Sequence, residues 1–302
     1  MSGVTTSARG FNLKSWLAER GVDRLLILLI PAFLAMVAFF IYPTMYGTYL
    51  SFHPMDAKSG ALGNYRSFFG DPYMRDSIWN TFRIALPVSL INVFAAIPLA
   101  VRLRHRVRGK RTINTLLVIP MSLGTVLVAE GLSAYLAPNG WFNRTLLATG
   151  IIDQPLQLLH NFWGVMISLL ITGFPFAFLL TLSYISGINP KMEEAASTLG
   201  ATSWQRFRYI TFPLLTPGLA ITFCLNFVLA FSVFPSANLL GNPAGDSHVL
   251  AVAAAQAIVN NYDYSMASAI SVITGGFELA VVALVLVMRS RLYSGSTSGG
   301  KG

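Results

Sequence analysis

The chain has 302 residues, of which 54% are hydrophobic and 11% charged, with a mean hydropathy of +0.60. Soluble domains carry about 25% charged residues, so this composition excludes an ordinary water-soluble enzyme and predicts the bilayer as solvent. The net charge of +9 does not indicate nucleic acid, because the basic residues flank apolar runs, and the single cysteine, Cys224, excludes an intrachain disulfide and a Cys-rich metal site.

Residues 1–24 are polar and basic, and Phe11, Leu13, Trp16 and Leu17 predict a cytoplasmic amphipathic segment on the membrane surface. The apolar run that follows is too long for a cleaved leader and lacks a cleavage site. Within a membrane domain at 25–290, six segments are long enough to cross about 30 Å of hydrocarbon. They fall near 25–49, 78–101, 113–136, 162–187, 214–238 and 265–288. Pro31, Pro43, Pro87, Pro98, Pro120 and Pro175 interrupt them, and neighbouring helices are expected to satisfy the freed backbone groups. The loops at 50–77, 137–161 and 239–264 are expected to carry short surface helices.

Sixteen of the 21 basic residues lie on the side predicted to be cytoplasmic, and five lie on or near the other. This bias places both termini inside. The run from Arg102 to Arg111 sits immediately inside a span and reads as a topology determinant with anionic-lipid contact. Residues 291–302 read as a flexible tail. Their Gly295-to-Lys301 spacing imitates a phosphate-binding loop, but Gly302 stands where a magnesium-holding Ser or Thr is required.

The stretch 189–213 is the one long polar connection with helix-forming sequence. Asn189 and Pro190 predict a helix start. Met192, Ala195, Ala196 and Leu199 then form an apolar stripe at helical spacing. Gly200 is suited to end that helix, Thr202 and Gln205 predict a capping box opening a second one, and Pro213 is expected to stop it. The product is a helix–glycine–helix elbow whose shallow apolar face suits reception by another protein.

Glu194-Ala195-Ala196, Gly200, Ile210 and Pro213 stand at the spacings of the loop signature of bacterial ATP-binding-cassette importer permeases, with Phe212 where leucine is usual. The chain resembles that family. The resemblance implies an all-α membrane protein of the type I importer class, with six transmembrane helices and a cytoplasmic coupling helix–turn–helix between spans four and five. It further implies that Glu193, Glu194, Ala195, Ala196, Gly200, Ile210 and Pro213 form the ATPase-coupling element. The expected partners are a second permease subunit, homologous or identical, two ATPase subunits, an external solute-binding protein and the bilayer of the bacterial inner membrane. No cofactor is expected on this chain, since ATP and magnesium belong to the ATPases, and it is expected to have no enzymatic activity of its own.

Around Pro235, Leu239-Leu240-Gly241 and Tyr262-Asp263-Tyr264, the chain resembles the polyamine-type branch of these permeases more than the sugar and glycerol-phosphate branch. That branch carries varied solutes, so a polyamine-like amine, phosphonate or opine is favoured without being named. Glu278 and Glu130 are the acidic residues within spans, each costing about 2.5–3.5 kcal/mol at the centre of an isolated span. With Asn226, Asn92, Thr274, Ser271, Ser232 and Thr172 they are candidates for a substrate path, against the plainer reading of interhelical hydrogen bonding. A self-sufficient secondary transporter is the competing class; it needs no ATPase seat. A membrane anchor leaves the elbow unexplained.

Overall fold

A computed structural model describes residues 24–56, 59–104 and 109–292. The amphipathic segment before Arg24, the middle of the basic run at 105–108 and the tail from 293 lie outside the described residues. Contacts divide the chain after Leu50 into two compact units.

The first unit is one long apolar helix in two parts, α1 (Arg24–Met36) and α2 (Tyr42–Ser51), joined by a wide π-turn at Val37–Ile41. The Tyr42 N–H donates to the Val37 carbonyl, and Pro43 follows directly. A proline inside a helix lacks a donor, and its ring collides with the carbonyl four residues back. Inserting one residue into the turn just before it shifts that carbonyl and lets the helix continue.

In the second unit every regular element among the described residues is helical. It comprises α3 (Gly63–Gly70), α4 (Pro72–Arg104), α5 (Lys110–Leu136), α6 (Trp141–Ala148), α7 (Phe162–Ser186), α8 (Pro190–Thr198), α9 (Ser203–Arg206), α10 (Phe212–Phe231), α11 (Pro235–Leu239), α12 (Leu250–Val259) and α13 (Tyr264–Leu292). Among the described residues of the chain, six helical runs are long and apolar enough to cross a membrane. The short helices α3, α6 and α12 fall in the connections where surface helices were expected.

Two sequence expectations need correction. The fifth span ends at Phe231 instead of near 238, because Ser232 to Phe234 break the helix and Pro235 opens the separate α11. Pro213 does not stop the second elbow helix either. A π-turn at Phe207–Thr211 carries α9 straight into α10, with the Phe212 N–H on the Phe207 carbonyl and Pro213 next. The device is the one that precedes Pro43.

The core is built by α4, α7 and α10, of whose most apolar windows 50% is buried, against 6% for α5 and α13. Toward the elbow, Val93, Ala96, Ala100 and Leu103 of α4 pack on Ala177, Phe178 and Ile185 of α7 and on Leu215 of α10. Toward the other end, Ile84, Val88, Val165, Phe227, Phe231 and Ile270 form a second cluster. Lipid tails are as apolar as leucine, so these contacts stabilise through close fit and interhelical hydrogen bonds.

Between the clusters lies a polar knot. The Asn92 amide donates to Asn226 Oδ1 at 3.2 Å and to the Leu169 carbonyl at 3.4 Å, while Asn226 donates to the Gly173 carbonyl at 3.0 Å. Both amides are essentially buried. At the end away from the elbow, the returning segment before α12 is stitched to α4: the Leu250 N–H donates to Thr81 Oγ1 at 2.9 Å, and the buried His248 ring stacks on Tyr73 at 4.0 Å.

A Cβ at Gly173 would lie 2.5 Å from Asn92 Nδ2, whereas one at Gly275 of α13 would meet nothing within 4 Å. Gly173→Ala is therefore expected to cost about 1–3 kcal/mol by overpacking the knot. Gly275→Ala should stabilise α13 by roughly 0.5–1 kcal/mol. Thermal unfolding of the purified chain in detergent checks this; equal midpoints for the two variants would remove the knot from its central place.

Candidate functional site

The elbow is built from its caps. Asn189 Oδ1 accepts the Lys191 N–H at 3.0 Å and starts α8. At the other end Gly200 has φ +84°, with its N–H on the Ser197 carbonyl at 3.0 Å and the Ala201 N–H on the Ala196 carbonyl at 3.0 Å. This pair of bonds closes a helix around a left-handed glycine. Thr202 and Gln205 then cap each other reciprocally, with Thr202 N–H to Gln205 Oε1 at 2.8 Å and Gln205 N–H to Thr202 Oγ1 at 3.3 Å.

Leu199 is 88% exposed, Tyr209 72%, Trp204 66% and Met192 47%. Met192, Leu199 and Tyr209 present exposed apolar surface together with Ala195, whereas Trp204 lines a separate apolar concavity with Phe94, Pro98 and Val101 of α4. Ala196, Gly200 and Ile210 contribute to a shallow concavity of about 420 Å³ under Leu199 and Tyr209. Glu194 stands exposed on α8, and Pro213 is absorbed into α10.

Glu193 points the other way. Its Oε1 accepts from Arg104 Nη1 at 2.6 Å and from Thr211 Oγ1 at 2.5 Å, while Arg104 Nη2 donates to the Ile188 carbonyl at 2.5 Å. The Arg104 and Glu193 side chains are only 8% and 18% exposed. In the sequence Arg104 is one of the topology-setting basic residues and Thr211 carries no signal of its own. Nothing in local spacing links positions 89 residues apart in the chain.

A second site lies within the spans. A cavity of about 170 Å³ is lined by Thr125 of α5, Thr172 and Gly173 of α7, Asn226 of α10, and Ser232 and Ser236 beyond it. Next to Thr125, α5 is broken at Gly124, whose φ of 74° and ψ of 159° suit only glycine. Non-helical backbone at membrane depth is tolerated where it is buried in protein or lines a cavity. In the sequence the nearest signal of this break is Pro120, four residues earlier.

Of the path candidates, Asn226, Thr172 and Ser232 line this cavity. Glu278 joins them through Ser232, whose Oγ donates to Glu278 Oε1 at 2.5 Å. Asn92 is sealed behind Asn226 as its bonding partner. Ser271 and Thr274 bond back to the Ala267 and Ile270 carbonyls of their own helix. Glu130 stands exposed on α5, outside the cavity lining. Among the described residues no group of three His, Cys, Asp or Glu side chains is placed to hold a metal ion.

Residues 90–293 match the family model described as binding-protein-dependent transport system inner membrane component. A probable sulfate transport system permease protein of Prototheca wickerhamii is 30% identical over 207 residues, covering 68% of this chain and 79% of that protein. A spermidine/putrescine transport system permease protein of Haemophilus influenzae is 26% identical over 212 residues, covering 68% of this chain and 74% of that protein. A chain of the bacterial alginate ABC transporter, crystallised in complex with an alginate pentasaccharide-bound periplasmic protein, shares the fold with a TM-score of 0.78 at 21% identity, over 93% of this chain and 99% of that one. The chain therefore belongs to the inner-membrane components of binding-protein-dependent transport systems and is a multi-pass permease subunit of an ABC importer, with ATP hydrolysis residing in separate subunits.

Proposed function

We propose that the elbow at 189–213 is the cytoplasmic seat of one of two ATPase subunits. In this reading the spans line half of a path for a small polar organic solute, with a second permease, homologous or identical, supplying the other half. An external binding protein delivers the solute, and both termini are cytoplasmic. The observation that carries the reading is the outward apolar face of a rigidly capped elbow, with Leu199 88% exposed directly before a left-handed Gly200. Exposed apolar surface framed by polar residues marks a protein-binding site, and this one is continuous with a core span through the π-turn at Phe207–Thr211.

The preferred solute class is an organic amine, polyamine-like in character. Between apolar side chains such as Leu169, Leu229 and Val233, the cavity lining has hydroxyls and one amide but no lysine or arginine, and a carboxylate, Glu278, is bonded to its Ser232. Such a lining suits a cation better than sulfate or an acidic sugar polymer. A neutral sugar is the second reading, favoured by the same hydroxyls; the charge of Glu278 separates the two.

Three outcomes are expected. In a Cys224→Ser background, a cysteine at Ser197 should label only from the cytoplasmic side and one at Asn242 only from outside; labelling of both from one face would overturn the topology. Leu199→Glu and Gly200→Val should insert normally yet lose their ATPase subunits on purification. The first places a charge in an apolar contact; the second adds bulk and about 1–2 kcal/mol of left-handed strain. Retention of ATPase by both would reduce the elbow to an ordinary loop. Finally, Glu278→Gln should leave assembly intact and raise the half-saturating concentration for spermidine uptake roughly tenfold or more, since a hydrogen bond to a charged group is worth about 1.5–3 kcal/mol. An unchanged spermidine response, or no spermidine uptake by the parent together with uptake of a neutral sugar, would favour the second reading.

A further inference from the structure

The coupling helix α8 is mechanically exposed. It has nine residues, none of them buried, and hangs between Gly187 and Gly200, the latter at φ +84°. A helix attached through glycines at both ends has two natural pivots. Any push received at Leu199 would tilt such a helix before it moved the spans, unless something pins it.

We infer that Arg104 is that pin: a positioning residue that locks α8 to the end of α4, so that displacement of the elbow reaches the bundle as a rigid movement. The inference rests on the reading of the elbow as an ATPase seat. Its substance is the fork of donors at one point. Arg104 Nη1 holds Glu193 in the first turn of α8, and Nη2 holds the Ile188 carbonyl just before that helix. Thr211, in the π-turn leading to α10, holds the same Glu193 oxygen. Four chain segments thus meet on one carboxylate and one guanidinium: the end of α4, the exit from α7, the first turn of α8 and the entry to α10.

The chemistry explains the choice of residue. A planar guanidinium presents two amino groups at a fixed separation and can serve two acceptors on different segments, which a single ammonium on a flexible stem does less well. The neighbouring Arg102 and Arg111 are exposed, whereas the Arg104 side chain is 8% exposed. Removing one member of such a shielded pair leaves the other charge uncompensated, so the two act as a unit.

The test uses the complete complex with its ATPases, in a Cys224→Ser background, with spin labels at Ser183 on α7 and Ser197 on α8. Both positions are exposed. In the parent the interlabel distance should be one narrow distribution, the same without nucleotide and after ATP–vanadate trapping. In Arg104→Ala the ATPases should stay bound, but the distribution should broaden roughly twofold or more, because a helix held only at its ends gains local freedom. Thr211→Val should broaden it less, Arg104→Lys should not restore the parent width, and Arg104→Ala combined with Glu193→Ala should be no broader than the worse single variant. Parent-like distributions in both Arg104→Ala and Thr211→Val overturn the inference. Should Arg104→Ala fail to assemble, Thr211→Val, which removes one bond and keeps the shape, decides alone. Retention of ATPase by Leu199→Glu would instead remove the seat reading, while the label distances still report whether the pin exists.

Discussion

The amide pair Asn92–Asn226 sets the geometry on which the rest of the second unit depends. Helices in lipid gain nothing from hiding leucine from water, so small residues that permit close approach and polar groups that must find partners decide their register. Here two side-chain amides and two helix carbonyls, those of Leu169 and Gly173, satisfy one another across α4, α7 and α10. The absence of a side chain on Gly173 is what allows the amide of Asn92 to sit there. A slip of one residue in any of the three helices would leave a buried amide unpaired, at a cost of about 1–3 kcal/mol. Both sites inherit their placement from this knot. The cavity opens beside Asn226, and the elbow hangs from the ends of the same three helices.

Continuity from elbow to core is the second structural fact, and it has a local cause. Prolines at 43 and 213 sit inside helices that do not stop, because each is preceded by a turn with one residue too many. The extra residue moves the obstructing carbonyl aside while keeping the chain hydrogen-bonded. For the second elbow helix the result is an uninterrupted path from Ser203 to Phe231. A true helix stop at Pro213 would have put a loop between the proposed seat and the core; the π-turn at Phe207–Thr211 keeps the helix continuous there.

What could be read from the sequence divides along a physical line. The caps at Asn189, Gly200 and Thr202–Gln205 were readable because capping is local, set by side chains two to four residues from the groups they satisfy. Span existence was readable from hydropathy, and the family from fixed spacings. Span ends were less so: a proline marks a break or a bulge according to turns it does not control, which is why Pro213 and the region before Pro235 came out differently from expectation. The partners of Glu193, and the difference between Asn226 facing a cavity and Asn92 sealed behind it, depend on helices that meet only after folding. No periodicity within one segment encodes them. The break at Gly124 belongs with these, since a glycine in a span reads equally as a packing contact.

The two polar assemblies that hold the permease differ in charge, and their depths explain it. The knot joining α4, α7 and α10 is made of neutral amides, sealed between apolar clusters of phenylalanine, leucine and alanine. An ion pair there would have to recover a desolvation cost of several kcal/mol per charge. Arg104 and Glu193 sit where α4 ends and the polar elbow begins, each retaining some contact with solvent, and each has a partner beyond the other in the Ile188 carbonyl and the Thr211 hydroxyl. At that level a charged pair costs less to form, and it provides a directional tie stronger than one between neutral groups. The same reasoning applies to Glu278. A carboxylate within a span, held by a single serine at 2.5 Å beside a hydroxyl-lined cavity, lacks the multiple donors that settle Glu193. It keeps acceptor capacity that Glu193 has already committed, and this is what makes Glu278 the better candidate to meet a passing cation.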